Sequence, residues 1–140
     1  MLLRLDKCVG EVIGYVELAT AFPTVRLANG TTIAASMSAA GFPVDRSPKA
    51  LAIDPTCTVK TSTSYEWLHD CATLPGNSGS PIFRKVHTEG QVRLQVLAVV
   101  TSGAHWREAV PYAGRYANRA IPMAQLIERI GRAVNADKCC

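Results

Sequence analysis

The apolar residues of this chain come in short blocks, rich in β-branched side chains and separated by turn signals. Residues 11–18 alternate apolar and polar, and residues 31–40, 51–60, 81–86 and 92–102 also read as strands. Between them lie Asn29-Gly30, Gly41-Phe42-Pro43, Asp54-Pro55, Pro75-Gly76-Asn77 and Glu89-Gly90, all residue pairs that favour turns. Asn29-Gly30 between apolar runs is a hairpin signal. One segment breaks the pattern. Met123, Leu126, Ile127, Ile130 and Val134 recur at helical spacing behind Pro122, and Glu128 and Arg132 sit four apart on the opposite face. Short strands followed by one terminal helix predict an all-β barrel or sandwich with a C-terminal α-helix. No internal repeat or linker interrupts the pattern.

A chain of 140 residues, 48% hydrophobic and 19% charged, is long and apolar enough for a real core and excludes intrinsic disorder. The longest apolar stretch, residues 96–100, reads as a buried strand and falls far short of the ~20 residues that span a membrane. The net charge of +4 resides in the second half. Its basic residues are scattered singly, apart from Arg84-Lys85, with no interleaved aromatics, which marks a solvated face rather than a nucleic-acid surface. Five cysteines (Cys8, Cys57, Cys71, Cys139, Cys140) form no C-x-x-C pair, and the three histidines lie far apart, so no metal site is expected. The first seven residues carry charges inside the apolar run and do not read as a signal peptide.

The chemistry is concentrated in residues 69–83. Gly76 and Gly79 flank Ser78, so the backbone can turn sharply and a reactant can approach closely. Successive N–H groups in such a turn can converge on one spot and form an anion-binding nest. A hydroxyl beside that nest can attack a carbonyl whose developing oxyanion the nest receives. Taken by composition alone, the same six residues would make an ordinary Gly/Ser/Asn turn.

Gly76-Asn77-Ser78-Gly79-Ser80-Pro81 resembles the nucleophile motif of trypsin-like serine peptidases of the double-barrel chymotrypsin fold, in the bacterial branch that includes the glutamyl endopeptidases. Gly41-Phe42-Pro43 is similar to the corner that opens the second barrel. Residues 96–103 resemble the strand that walls the primary specificity pocket, and residues 118–121 the strand after it. The 123–134 helix matches the family's terminal helix. The resemblance thus implies that residues 31–140 are the second six-stranded antiparallel β-barrel and that residues 1–30 are the tail of the first barrel with the inter-barrel linker. It implies Ser78 as nucleophile, the N–H groups of Gly76 and Ser78 as oxyanion hole, Ala72 and Thr73 as pocket base, and Thr101, Ser102 and Gly103 as pocket wall. Asn77 stands where trypsin has an Asp that pairs with a newly cut amino terminus; an amide cannot form that ion pair. Neither metal nor cofactor is implied. The substrate would be a protein or peptide, and the location secreted or periplasmic.

In this family His, Asp and Ser follow in that order, and the first two belong to the first barrel. Met1-Leu2-Leu3-Arg4-Leu5 resembles the strand just after the Asp, so the expected reading is a C-terminal fragment of a peptidase of roughly 200–250 residues. Such a fragment lacks the catalytic His and Asp as well as the N-terminal barrel, and is expected to be inactive alone. His69 adjoins Asp70, but neighbouring strand residues face opposite sides and cannot form a base–carboxylate pair. His87 and His105 read as ordinary imidazoles. An α/β-hydrolase elbow needs G-x-S-x-G, and position 80 is Ser. The alternative of a different class is a non-catalytic half-barrel that binds a peptide or partner chain. Cys57 and Cys71 lie on successive expected strands and are expected to be disulfide-bonded, with two buried thiols as the alternative. A bridge closing a loop of this length stabilises by roughly 3 kcal/mol.

Overall fold

The computed structural model describes residues 7, 9–44, 50–103 and 117–136. Met1–Leu5, Cys8, His105, Cys139 and Cys140, on which expectations were stated, lie outside them. A helical turn α1 (Gly10–Ile13) precedes β1 (Glu17–Leu18), β2 (Thr24–Arg26), β3 (Thr32–Ala34), β4 (Met37–Gly41), β5 (Ala52–Cys57), β6 (Val59–Ser62), β7 (Trp67–His69), β8 (Pro81–Thr88), β9 (Gln91–Ser102), β10 (Asn118–Pro122) and α2 (Met123–Ala136). The chain is mostly β with a C-terminal helix, as its pattern predicts.

One sheet runs in the order β5-β4-β8-β9-β10-β7-β6, antiparallel throughout, with β1 added in parallel to β9. Its two terminal strands are consecutive in the chain, separated only by Thr58. The sheet therefore curls until its ends meet at a bend in one continuous segment. Asp70 fixes that bend: its carboxylate accepts from the Thr58 N–H (2.6 Å) and hydroxyl (3.1 Å) and pairs with Lys60 (2.6 Å).

The concave face carries the core. Met37 and Ala39 on β4, Cys57 and Val59 at the bend, Trp67 on β7, Ile82 on β8, Leu97, Ala98 and Val100 on β9 and Ala120 on β10 are all buried. Period-two alternation brings them together, most plainly in β4, where buried and half-buried residues alternate. Phe22 closes one end, edge-on to Trp67 with ring centroids 5.2 Å apart. Helix α2 starts where Pro122 ends β10. Met123 is buried, while Glu128 and Arg132 pair at 2.6 Å on the wet side. The Cys57–Cys71 disulfide is formed, with Cα atoms 4.7 Å apart, and ties the bend to the segment entering the Ser78 turn.

Three local expectations are corrected. Residues 11–18 are not one strand: residues 10–13 form a helical turn and only Glu17–Leu18 pairs, because alternation makes a strand only where a neighbour is available. Residues 31–40 break between Ala34 and Met37, since β3 pairs with β2 whereas β4 pairs with β5 and β8. Asp54-Pro55 is not a turn but lies inside β5, where the register against β4 shifts between Met37 and Ala39. Proline is tolerated at such a bulge in a terminal strand because no ladder N–H is required of it. The hairpin signals hold. Asn29 Oδ1 accepts from the Thr31 N–H (3.0 Å) in the β2–β3 loop. Glu89 and Gly90 both take positive φ (50° and 77°) in the two-residue β8–β9 turn.

Candidate active site around Ser78

The segment from Cys71 to Pro81 crosses the mouth of the curled sheet. Gly76 and Gly79 both adopt left-handed backbone, φ +96° and +90°, which strongly favours glycine. Gly76 also lies against the corner: a Cβ there would sit 2.7 Å from the Phe42 carbonyl oxygen and 3.2 Å from the Val44 nitrogen. The Val44 N–H donates to the Pro75 carbonyl at 2.8 Å, clamping corner to turn. On the far side Gly79 N–H donates to Val100 O (2.8 Å) and Val100 N–H to Ser80 O (2.9 Å), so the turn is stitched to β9.

Within the turn the N–H groups of Asn77 and Ser80 are taken up by Leu74 O (3.0 Å) and Asn77 O (2.9 Å). Among the described residues, the N–H groups of Gly76 and Ser78 donate to no carbonyl or side chain. Ser78 is exposed, and its hydroxyl donates to the Thr101 carbonyl at 3.1 Å. Thr101 Oγ1 in turn donates to the Arg119 carbonyl at 3.1 Å.

Most of the residues singled out in the sequence meet here. A Cβ on Gly103 would come within 3.2 Å of the Thr73 methyl and carbonyl and 3.1 Å of Asn118 Oδ1. Residues 73 and 103 therefore lie in contact. Ser102 is exposed beside them, opposite Arg119. Ala72 is exposed, and its N–H donates to Asp54 Oδ2 at 2.7 Å. A separate cavity of about 260 Å³ lies behind the turn, lined by residues including Ala72, Thr73, Asp54, Asn77 and Ser80, but not by Ser78 or residues 101–103. Asn77 is 9% exposed, and its Oδ1 has no hydrogen-bond partner.

Two supporting residues were missed in the sequence. Asn118 donates to the Cys71 carbonyl at 2.7 Å and ties β10 to the segment entering the turn. Nothing in its sequence context marks it. Asp54, read as a turn residue, accepts from Ala72 and also, at 3.2 Å, from the Thr56 N–H.

His69 and Asp70 face opposite ways, as strand alternation requires. His69 is fully buried, and neither ring nitrogen has a partner. Burial pushes its imidazole below the ordinary value, against the opposing pull of the Arg119 carbonyl and the Asp70 and Asp54 carboxylates. Burial raises the Asp70 carboxyl, but Lys60 and the Thr58 donors outweigh it and hold the group below the usual range. His87 lies toward the far end of β8, roughly 20 Å along the strand from the turn at ~3.3 Å per residue. Neither imidazole serves as a base for Ser78. Among the described residues no cluster of His, Cys, Asp or Glu is arranged to hold a metal ion, and no helix is long and apolar enough to cross a membrane.

No known protein-family model matches the chain, and no curated protein matches it.

Proposed function

We propose that this chain is the nucleophile-bearing half of a trypsin-like serine endopeptidase, with the curled sheet as the second barrel of the chymotrypsin fold. The observation that carries the reading is the turn itself. Gly76 and Ser78 present unpaired N–H groups on either side of Asn77, whose own N–H is used, and the exposed Ser78 hydroxyl stands beside them. Two such donors are what a tetrahedral oxyanion requires. Ser78 would attack the scissile carbonyl and form an acyl-enzyme that water then releases. Its proton would pass to a His oriented by an Asp, both supplied from outside the described residues. Until that base is in place the hydroxyl rests on the Thr101 carbonyl.

Ala72 and Thr73, the proposed pocket base, carry no charge, and Thr73 and Gly103 lie in contact, so bonds after small or medium uncharged side chains are the favoured substrates. Val100 stands where glutamyl endopeptidases carry a His, which removes the partner for an acidic side chain. The Cys57–Cys71 bridge supports an oxidising compartment, secreted or periplasmic. The competing reading, a half-barrel that binds a partner chain without catalysis, draws on the exposure of Val44 (69%), Ile53 (58%) and Leu51 (52%). The upstream gene sequence, translated in frame and expressed with residues 1–140, separates the two. The peptidase reading requires a His and an Asp in that segment and turnover of a mixed peptide pool that Ser78→Ala abolishes. An upstream stop codon contradicts it, whereas cleavage confined to Arg, Lys or Glu bonds would contradict only the expected preference for small or medium uncharged side chains.

A further inference from the structure

Among the described residues His69 is the one titratable side chain with no exposed surface. It sits on β7, next to the terminal strand of the sheet, opposite Val59 on β6 and Asn118 on β10. Both ring nitrogens lack hydrogen-bond partners, so even the neutral ring holds an unmade N–H. A second proton would add a buried charge that no carboxylate hydrogen-bonds, favoured only by the Arg119 carbonyl and, at longer range, by Asp70 and Asp54. The acids that flank β7 are engaged elsewhere: Asp70 with Lys60 and Thr58, and Glu66 with the Arg119 guanidinium at 2.7 Å. On β5, Asp54 is held by the Ala72 and Thr56 N–H groups. The neighbouring strands bring only like charge, Lys60 on β6 and Arg119 on β10, and β9 carries only Arg93, which pairs with Glu17.

We propose that His69 is an acid latch: proton uptake by its buried ring opens the β6–β7–β10 side of the sheet. The opening reaches Ser78 through bonds already described. The Arg119 carbonyl beside the ring accepts from Thr101 Oγ1, and the Thr101 carbonyl accepts from Ser78. Loss of β10 from this side therefore removes the support of the strand on which Ser78 rests. The consequence for catalysis rests on the nucleophile reading; the opening itself does not.

The sign follows from burial. The folded chain keeps the ring neutral, whereas the unfolded chain takes a proton near the usual value of 6.5. Unfolding below that pH therefore takes up a proton, and the stability present above it is lost as pH falls. The latch is tested by urea unfolding of the full 140-residue chain between pH 7.5 and 4.5, at submicromolar concentration, with the buried Trp67 as fluorescence reporter. The unfolding equilibrium constant rises as pH falls below about 6.5, by at most tenfold per pH unit, and in His69→Leu that rise is lost. Should His69→Leu fail to fold, the Cε1 proton of His69 in the unaltered chain decides: its titration in the folded chain has a midpoint below 6.5. A Ser78→Ala chain keeps the acid transition, which separates the latch from the nucleophile reading. An Nε or Nδ titration of His69 with a midpoint near 6.5 in chain that remains folded would overturn the proposal, as would an undiminished pH slope in folded His69→Leu.

Discussion

Gly76→Ala and Gly79→Ala form a matched pair that measures how firmly the corner holds the Ser78 turn. The two glycines have nearly the same backbone, φ +96° and +90°. An alanine at either position meets the strain of left-handed backbone, about 1–2 kcal/mol, offset by up to ~1 kcal/mol from the reduced freedom of the unfolded chain. At Gly79 nothing lies within 4 Å of the added methyl, so the net cost is about 1 kcal/mol. At Gly76 the methyl would sit 2.7 Å from the Phe42 carbonyl oxygen and 3.2 Å from the Val44 nitrogen. Both are backbone atoms that cannot rotate aside, and Val44 is further fixed by its bond to Pro75. Overpacking of this kind adds about 1–3 kcal/mol, for a total of about 2–4 kcal/mol. In thermal unfolding, at about 3 °C per kcal/mol for a chain of this size, Gly79→Ala loses about 3 °C and Gly76→Ala about 6–12 °C. Equal losses in the two variants would mean that the corner yields freely to the turn and does not clamp it.

Asn77→Asp places a carboxylate where a 9%-exposed amide oxygen has no partner, at a cost of about 3–5 kcal/mol near neutral pH. Burial raises that carboxyl above its unfolded value, so the loss is small near pH 4 and grows as pH rises; urea midpoints at pH 4 and pH 7 check it, and an unchanged midpoint at pH 7 contradicts it. Asp70→Asn removes the charge that Lys60 and Thr58 bind and costs about 1–2 kcal/mol, the lower part of the range for charged hydrogen bonds because the side chain is partly exposed. Since the Asp70 carboxyl is held below its usual range, the stability it supplies is present above that range and is lost as pH falls through it. The gap between Asp70→Asn and the unaltered chain therefore closes toward pH 3, and a gap that stays constant would be the wrong result.

Local periodicity carried most of the fold. The long strands β8 and β9, the Glu89-Gly90 hairpin and helix α2 follow from alternation, a positive-φ pair and helical spacing, each a property of neighbouring residues. Failures occurred where the outcome depends on a distant partner. Residues 11–15 alternate like a strand yet have no neighbour to pair with. Asp54-Pro55 carries a turn signature, yet the bulge against β4 absorbs it. Around Ser78, the two glycines announced a sharp turn. The N–H groups of Asn77 and Ser80 are taken up inside the turn, but that of Gly79 goes to Val100 and the Pro75 carbonyl is held by Val44, both far away in sequence. Asn118 and Asp54 hold the segment entering the turn through side-chain bonds to backbone across 47 and 18 positions, and no local pattern encodes such bonds.

The proposal makes Ser78 a peptidase nucleophile whose base lies outside the described residues. Stoichiometry of labelling by a fluorophosphonate probe, located by peptide mass spectrometry, tests it most directly. The measurement compares residues 1–140, the chain extended upstream by its own in-frame sequence, and the extended Ser78→Ala chain. Labelling at Ser78 is expected in the extended chain alone, with residues 1–140 and Ser78→Ala essentially unlabelled, because the triad acts as a unit. Stoichiometric labelling of residues 1–140 would place a base inside this chain. An unlabelled Ser78 in an extended chain that carries both the His and the Asp would contradict the nucleophile assignment itself.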